Sequence, residues 1–247
     1  MKKITRSHKP LILITNDDGI QAKGIREVAD FLKPLGDILI VAPDAPRSGQ
    51  SSAITVTSPL RMKVVEERDG FLAIRTNGTP VDCIKLSMNI LLDERPDLIV
   101  SGINHGSNSG VSVIYSGTMG AVFEGALLHI PSIGFSLCNH KADVDFSHCR
   151  ELILDVCQKA LTHNHWPKNI GLNINIPDVP QLKGSKICRA AHGQEYYWLT
   201  GKFKNAEPEA TDTDEYWLER GYATIVPCTT DNSALNILPE LSSVLGI

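Results

Sequence analysis

Leu11-Ile-Leu-Ile-Thr15 is an unbroken aliphatic run ending in polar residues, the pattern of a parallel strand buried on both faces. Ile25, Val28, Ala29, Leu32 and Leu35 then recur at helical spacing, and Pro34-Leu35-Gly36 punctuates the end. Asp37-Ile-Leu-Ile-Val-Ala42, stopped by Pro43, reads as a second strand, and Arg95–Ser101 and Pro131–Ser136 repeat the pattern. Helical stretches lie between them, around Val81–Leu92 and around Met119, Val122, Phe123, Ala126 and Leu127. A further helix, with Ile153, Val156, Cys157, Ala160 and Leu161 aligned, leads to a strand at Asn169–Ile176. Strand and helix alternating in this way predict an α/β fold, a doubly wound and mostly parallel sheet covered on both faces.

Two stretches break the alternation. Ile54–Thr57, Met62–Val65 and Phe71–Ile74 predict antiparallel ribbon, with Asp69-Gly70 as a hairpin turn. After Pro177, Gln194–Leu199 and Tyr222–Val226 are aromatic and β-branched, the polar stretch Lys202–Asp214 separates them, and a closing helix follows around Ser233–Leu241. The expected division is a core over 1–180 and a β-hairpin-rich appendage with its closing helix over 181–247.

Composition narrows the classes of partner. The 247 residues are 42% hydrophobic and 21% charged, with a formal net charge of -4. With a pI near 6.1 the chain lacks the basic face that phosphate neutralisation requires, so a nucleic acid polymer is not expected as the main partner. Cys83, Cys138, Cys149, Cys157, Cys188 and Cys228 show neither CxxC nor zinc-finger spacing and read as reduced side chains of a cytoplasmic protein. The short apolar run after Met1-Lys2-Lys3 enters Asp17-Asp18 without a cleavage site. No uncharged apolar stretch approaches the roughly 18 residues of a membrane span, so no membrane partner is expected.

In doubly wound sheets ligands sit beyond the carboxyl ends of the strands, so the polar residues that end each predicted strand form an informative set. The first strand ends in Thr15-Asn-Asp-Asp-Gly19; the second leads to Arg47-Ser48-Gly49; the one around Val100 ends in Ser101-Gly-Ile-Asn104-His-Gly-Ser-Asn108. Adjacent carboxylates repel unless a proton or cation compensates. One of them could cap the following helix while the other faces solvent. Alternatively Asp17, Asp18, Ser48 and Asn104 supply the carboxylate, hydroxyl and amide oxygens that a hard divalent cation takes. His105 reads as a loop histidine at the surface.

Gly102, Gly106, Gly110, Gly117 and Gly120 punctuate a stretch otherwise rich in Ser, Asn and Thr. Tyr115-Ser116-Gly117-Thr118 opens the helix near Met119, so its amides and hydroxyls would face an anion at a helix N-terminus. The Lys of a P-loop is missing and no GxGxxG is present, and an ordinary flexible loop with a Ser/Thr cap would read similarly. An anion cradle beside an all-oxygen shell points to phosphate-ester chemistry. The competing readings are a receiver-like phospho-acceptor or a noncatalytic metal-dependent binding module, and an esterase using Ser48, which lacks both Gly-x-Ser-x-Gly and a paired His.

These residues resemble the SurE (survival protein E) nucleotidases. The matching stretches are Ile12–Ile20, Val41–Gly49, Asn77–Cys83, Pro96–Asn104 and Tyr115–Ala121, followed by Leu172–Pro177 and Thr211–Asp214, in collinear order along nearly the whole chain. The resemblance implies a Rossmann-like core and one divalent metal ion per subunit, Mg²⁺ or Mn²⁺. It implies hydrolysis of nucleoside 5′- and 3′-monophosphates, with short polyphosphate as a further substrate of some members. Homodimers or homotetramers that exchange carboxy-terminal elements are also implied. Carried over, Asp17, Asp18, Ser48 and Asn104 match metal ligands, while Ser48, Gly49, Asn108, Ser116, Gly117 and Thr118 match the phosphate site. Asp17, Asp18, Asn108 and Ser116 are the expected catalytic set. Lys23, Met119 and the tail Cys228–Ser233 depart from the family pattern, and only the tail bears on assembly.

Overall fold

All five residues of Leu11–Thr15 (β1) are buried, which accounts for the missing polar alternation. The computed structural model describes residues 8–163, 165–195 and 203–245. The strands that follow are Asp37–Pro43 (β2), Met62–Arg68 (β3), Phe71–Thr76 (β4), Leu98–His105 (β5), Ser132–Leu137 (β6) and Ile170–Ile176 (β7). Ser185–Ile187 (β8), Gly193–Glu195 (β9), Phe203–Asn205 (β10) and Ala223–Thr229 (β11) complete the set. Among the described residues, nine strands form one sheet in the order β3-β4-β2-β1-β5-β6-β7-β11-β8. From β4 to β7 every neighbouring pair is parallel, whereas β3 and β11 join antiparallel.

The helices divide between the two faces. Lys23–Leu32 (α1) buries Ile25, Val28, Ala29 and Leu32 on one face, against Arg150–Thr162 (α4), which contributes Ile153, Cys157 and Ala160 to the same core. On the other face Pro80–Leu86 (α2) and Gly117–Leu127 (α3) pack Cys83, Ile84 and Ala121 against Leu13, Leu39, Val41 and Ile99. The fold is thus α/β, Rossmann-like and mostly parallel, as the periodicity predicts. From β1 the chain builds outward to β2 and β4, then returns to the other side of β1 for β5, β6 and β7. The strand order therefore reverses between β1 and β5, and a crevice opens there beyond their carboxyl ends.

The Asp69-Gly70 hairpin forms between β3 and β4. Ile54–Thr57, predicted as ribbon, is irregular instead. Its backbone is spent on α2: the Thr55 N–H donates to the Asp82 carboxylate at 3.1 Å, and the Thr79 hydroxyl donates to the Ala53 carbonyl at 2.7 Å. Thr79 and Asp82 also form a capping box at the start of α2, with Pro80 in the first turn. The predicted Val81–Leu92 helix is α2 followed by one π-helical turn over Ser87–Leu91.

Of the segment past residue 180, β8 and β11 lie in the main sheet and β9 pairs with β10 in a separate two-stranded sheet. Of the predicted strand Gln194–Leu199, positions 196–199 lie outside the described residues. The polar stretch expected between the late strands contains β10 and the start of Asp214–Leu218 (α5). The predicted closing helix is Leu238–Leu245 (α6), preceded by a 3-10 turn at Leu235–Ile237, and no residue of it is buried. All six cysteines are free thiols. No described helix is long and apolar enough to cross a membrane.

Candidate active site

At the end of β1 the chain must turn sharply toward α1. Asn16 makes the turn with its own side chain: Nδ2 donates to the Gly19 carbonyl at 3.0 Å, and the Gly19 N–H donates to Oδ1 at 3.2 Å. Gly19 has φ +95°, a left-handed angle that favours glycine. The turn leaves Asp17 and Asp18 at the crevice. The Arg47 N–H donates to the Asp17 carbonyl at 2.7 Å, which ties the loop carrying Ser48 and Gly49 to the acidic turn.

Asp17 is 4% exposed. Its Oδ1 accepts the Thr118 hydroxyl proton at 2.6 Å, and the Thr118 backbone N–H adds a second bond. Gly117 lies against it so closely that a Cβ there would fall 2.8 Å from the Asp17 Cβ. Any larger residue at 117 would push the carboxylate away. Burial raises the Asp17 pKa above the ordinary carboxylate value, and the negative charge of Asp18 adds to the rise while the Thr118 bonds oppose it. Among the described residues no cationic side chain pairs with Asp17.

Asp18 faces β5. Its Oδ2 accepts the His105 backbone N–H at 3.2 Å and lies 3.0 Å from the His105 Nδ1. The His105 ring meets the edge of Phe146 at 5.1 Å between centroids, 84° apart in plane. It is therefore a packed, hydrogen-bonded residue at the end of a strand and not the surface loop histidine that the sequence suggests. Beside it, Asn104 donates its Nδ2 to the Gly106 carbonyl at 2.9 Å, which leaves the side-chain oxygen as the donor atom for a cation.

Asn108 is held in a polar network inside the sheet edge. Its N–H donates to the Asn175 Oδ1 at 2.8 Å, its carbonyl accepts from the Asn173 Nδ2 at 2.8 Å, and its own Nδ2 donates to the Ser136 hydroxyl at 2.8 Å. One N–H of that amide is left over. Ser116 caps α3, its hydroxyl accepting from the Met119 N–H at 3.1 Å. Thr118, expected to face an anion, is fully buried and gives its hydroxyl to Asp17. The first turn of α3 therefore steadies a carboxylate as well as offering amides at its end.

Asp17, Ser48, Gly49, Asn104, Asn108 and Ser116 line one cleft of about 290 Å³. His105, Ser107, Ser112, Tyr115 and His140 complete its wall. Asp18 borders it through His105, while Gly117 and Thr118 stand behind Asp17. Ser136, Asn173, Asn175 and His140 escaped the sequence reading. Asn173 and Asn175 alternate with aliphatics inside a strand, and that alternation was their available signal.

The described residues hold no group of three His, Cys, Asp or Glu suited to a metal. The cleft offers the Asp17 carboxylate, the Ser48 hydroxyl and the Asn104 amide oxygen, with Asp18 adjacent in sequence and held against His105 of the lining, the donor chemistry of a hard cation. The buried Asp17, raised in pKa and without a cationic side chain, fits that use.

The chain is similar to known proteins over most of its length. A family model described as Survival protein SurE matches residues 12–196. A 5'-nucleotidase SurE of Bacteroides thetaiotaomicron is 47% identical over 96% of this chain and 96% of its own length. The protein of the same name from Phocaeicola vulgatus is 45% identical, over 96% and 98%. The crystal structure of the SurE protein from Aquifex aeolicus matches with a TM-score of 0.82 at 30% identity, covering 96% of this chain and 100% of that one. With this sheet order, this acidic turn and these relatives, the chain belongs to the SurE family.

Proposed function

We propose that the protein is a divalent-metal-dependent phosphomonoester hydrolase that acts on nucleoside 5′- and 3′-monophosphates and releases inorganic phosphate. The observation that carries this reading is the single cleft shared by Asp17, Ser48, Asn104, Asn108 and Ser116, drawn from separate loops at the reversal of strand order. The names of the relatives, 5'-nucleotidase SurE, support the substrate class. Short polyphosphate is a further candidate substrate.

Asp17, Asp18, Ser48 and Asn104 would hold one Mg²⁺ or Mn²⁺ ion per subunit. Such an ion, when bound, polarises a phosphoryl oxygen and acidifies water. The remaining N–H of the Asn108 amide, the Ser116 hydroxyl and the Gly117 N–H that opens α3 bind the phosphoryl oxygens and stabilise their charge in the transition state. Ser48 and Gly49 approach the same group from the opposite loop. Asp17 or Asp18 orients the attacking water and accepts its proton. Thr118 and Gly117 hold Asp17 in place for that role, and His105 holds Asp18.

Assembly as a homodimer or homotetramer, with carboxy-terminal elements of the 181–247 segment exchanged between subunits, belongs to the same reading. The exposed stripe of Leu238, Leu241 and Val244 on α6 supports it. The test is phosphate release from a panel of nucleoside 5′- and 3′-monophosphates by EDTA-stripped protein with Mg²⁺ or Mn²⁺ restored. Release that requires the ion supports the proposal; no release with any nucleotide or ion refutes it.

A further inference from the structure

Two consecutive carboxylates far along the chain reach back to the loop that carries Asn108. Asp214 and Glu215 open α5. The Asp214 Oδ2 accepts the Gly110 N–H at 2.8 Å, and its Oδ1 accepts the N–H groups of Ala191 and Glu215, each at 2.8 Å. The Glu215 Oε1 accepts the Ser109 hydroxyl proton. The Ser109 hydroxyl oxygen lies 2.6 Å from that of Ser107. Ser107 in turn is 3.2 Å from the Asn175 Oδ1, the atom that receives the Asn108 N–H at 2.8 Å.

The charge at the far end orders this chain. An ionised carboxylate can only accept, so Ser109 must donate to Glu215; the Ser109 N–H donates to the Ser107 hydroxyl oxygen at 3.1 Å, and the single Ser107 proton goes either to the Ser109 oxygen or to the Asn175 Oδ1. Glu215 is also the only member bearing charge, so its bond to Ser109 is the strong one. Ser107 and Asn108 line the cleft, whereas Glu215 does not. Burial raises the Glu215 pKa, and the negative charge of Asp214 raises it further, while the Ser109 bond opposes both.

We propose that Glu215 is a positioning residue for phosphate binding: through Ser109 and Ser107 it fixes the loop on which Asn108 meets the phosphoryl group. The inference rests on the phosphate role of Asn108 proposed above. Removing the hydrogen-bonding partner behind a metal-ligating side chain typically costs about 10- to 100-fold in affinity or activity, and a loss of the same order is expected for phosphate here.

Binding of inorganic phosphate to the Mn²⁺-loaded protein, followed by calorimetry, tests it alongside KM and kcat for a chromogenic phosphomonoester. Glu215→Leu should weaken phosphate binding and raise KM by about ten-fold or more while Mn²⁺ affinity stays unchanged. Glu215→Gln keeps an acceptor oxygen for Ser109 and should stay within a few-fold of the parent. Ser109→Ala, a smaller change, should reproduce the Glu215→Leu defect should that variant fold poorly, and the double variant should be no worse than either single one. Parent protein that binds no phosphate overturns both this inference and the proposed function. Parent that binds, with Glu215→Leu and Ser109→Ala binding equally well, overturns the role of Glu215 alone. Glu215→Gln as impaired as Glu215→Leu likewise refutes the hydrogen-bonded chain.

Discussion

His105 points two donors at one oxygen of Asp18: its backbone N–H lies 3.2 Å, and its Nδ1 3.0 Å, from Oδ2. The two residues are 87 positions apart, and the contact joins the end of β1 to the end of β5 where the strand order reverses. It fixes the direction in which Asp18 presents its other oxygen.

The His105 side chain can therefore be tested by its geometry. Asn places an N–H where Nδ1 stands, whereas Gln reaches toward the Nε2 position. His105→Asn should bind Mn²⁺ within a few-fold of the parent, and His105→Gln or His105→Phe about ten-fold more weakly. Calorimetric titration of Mn²⁺ checks this. Equal affinity in all three variants would remove His105 from the account.

Asp17→Asn separates chemistry from folding. The buried carboxylate has a raised pKa, so without a cation its ionised form is a liability at neutral pH. Stability linked to a raised carboxylate is complete below the unfolded pKa and is lost as pH rises through the folded one. Asn, which still accepts from Thr118, should leave the metal-free protein as stable as the parent or more so. Added Mn²⁺ should raise the melting temperature of the parent and not of the variant. Turnover should fall by about 10²-fold or more.

Asp214→Asn places an amide N–H₂ against at least one of three backbone donors. The fully buried side chain accepts from Gly110, Ala191 and Glu215, and an amide cannot accept from all of them. A loss of about 1–3 kcal/mol in chemical denaturation is expected. A variant as stable as the parent would show that the clamp on the loop contributes nothing.

The acid limb of stability should carry the Arg189 cluster. The Arg189 guanidinium beside Glu207 holds that carboxyl at about 2, well below its ordinary value of 4.5. The contribution is therefore present above pH 4.5 and is lost as pH falls toward 2. Being at the surface, the pair is weak and salt-sensitive. Glu207→Gln should melt below the parent at pH 6 and match it near pH 2, as measured by thermal denaturation across pH. A difference independent of pH would contradict the assignment.

Much of the fold was legible in local pattern. The aliphatic runs of β1 and β2 have no polar alternation because both faces are covered, and the repulsion of the adjacent acids at the end of β1 marked them as a candidate site while leaving a helix-capping role open. What the pattern hid depends on distant partners. Ile54–Thr57 alternates like a strand, yet its Thr55 N–H goes to Asp82 and the carbonyl of its neighbour Ala53 takes the Thr79 hydroxyl proton. Thr118 looks like an anion-facing hydroxyl until Asp17, 101 positions earlier, is seen to take it. Glu215 lies 106 positions from Ser109, and no spacing rule links them. Asn173 and Asn175 sit inside a strand among aliphatics, polar side chains whose purpose appears only once Asn108 docks on them.

The most direct measurement counts inorganic phosphate released per mole of protein from a nucleoside monophosphate, with the EDTA-stripped chain given Mn²⁺. The account predicts many equivalents per mole, abolished by renewed chelation and by Asp17→Asn. One equivalent or less from the metal-loaded parent would contradict it and favour a phospho-acceptor or a binding module in its place.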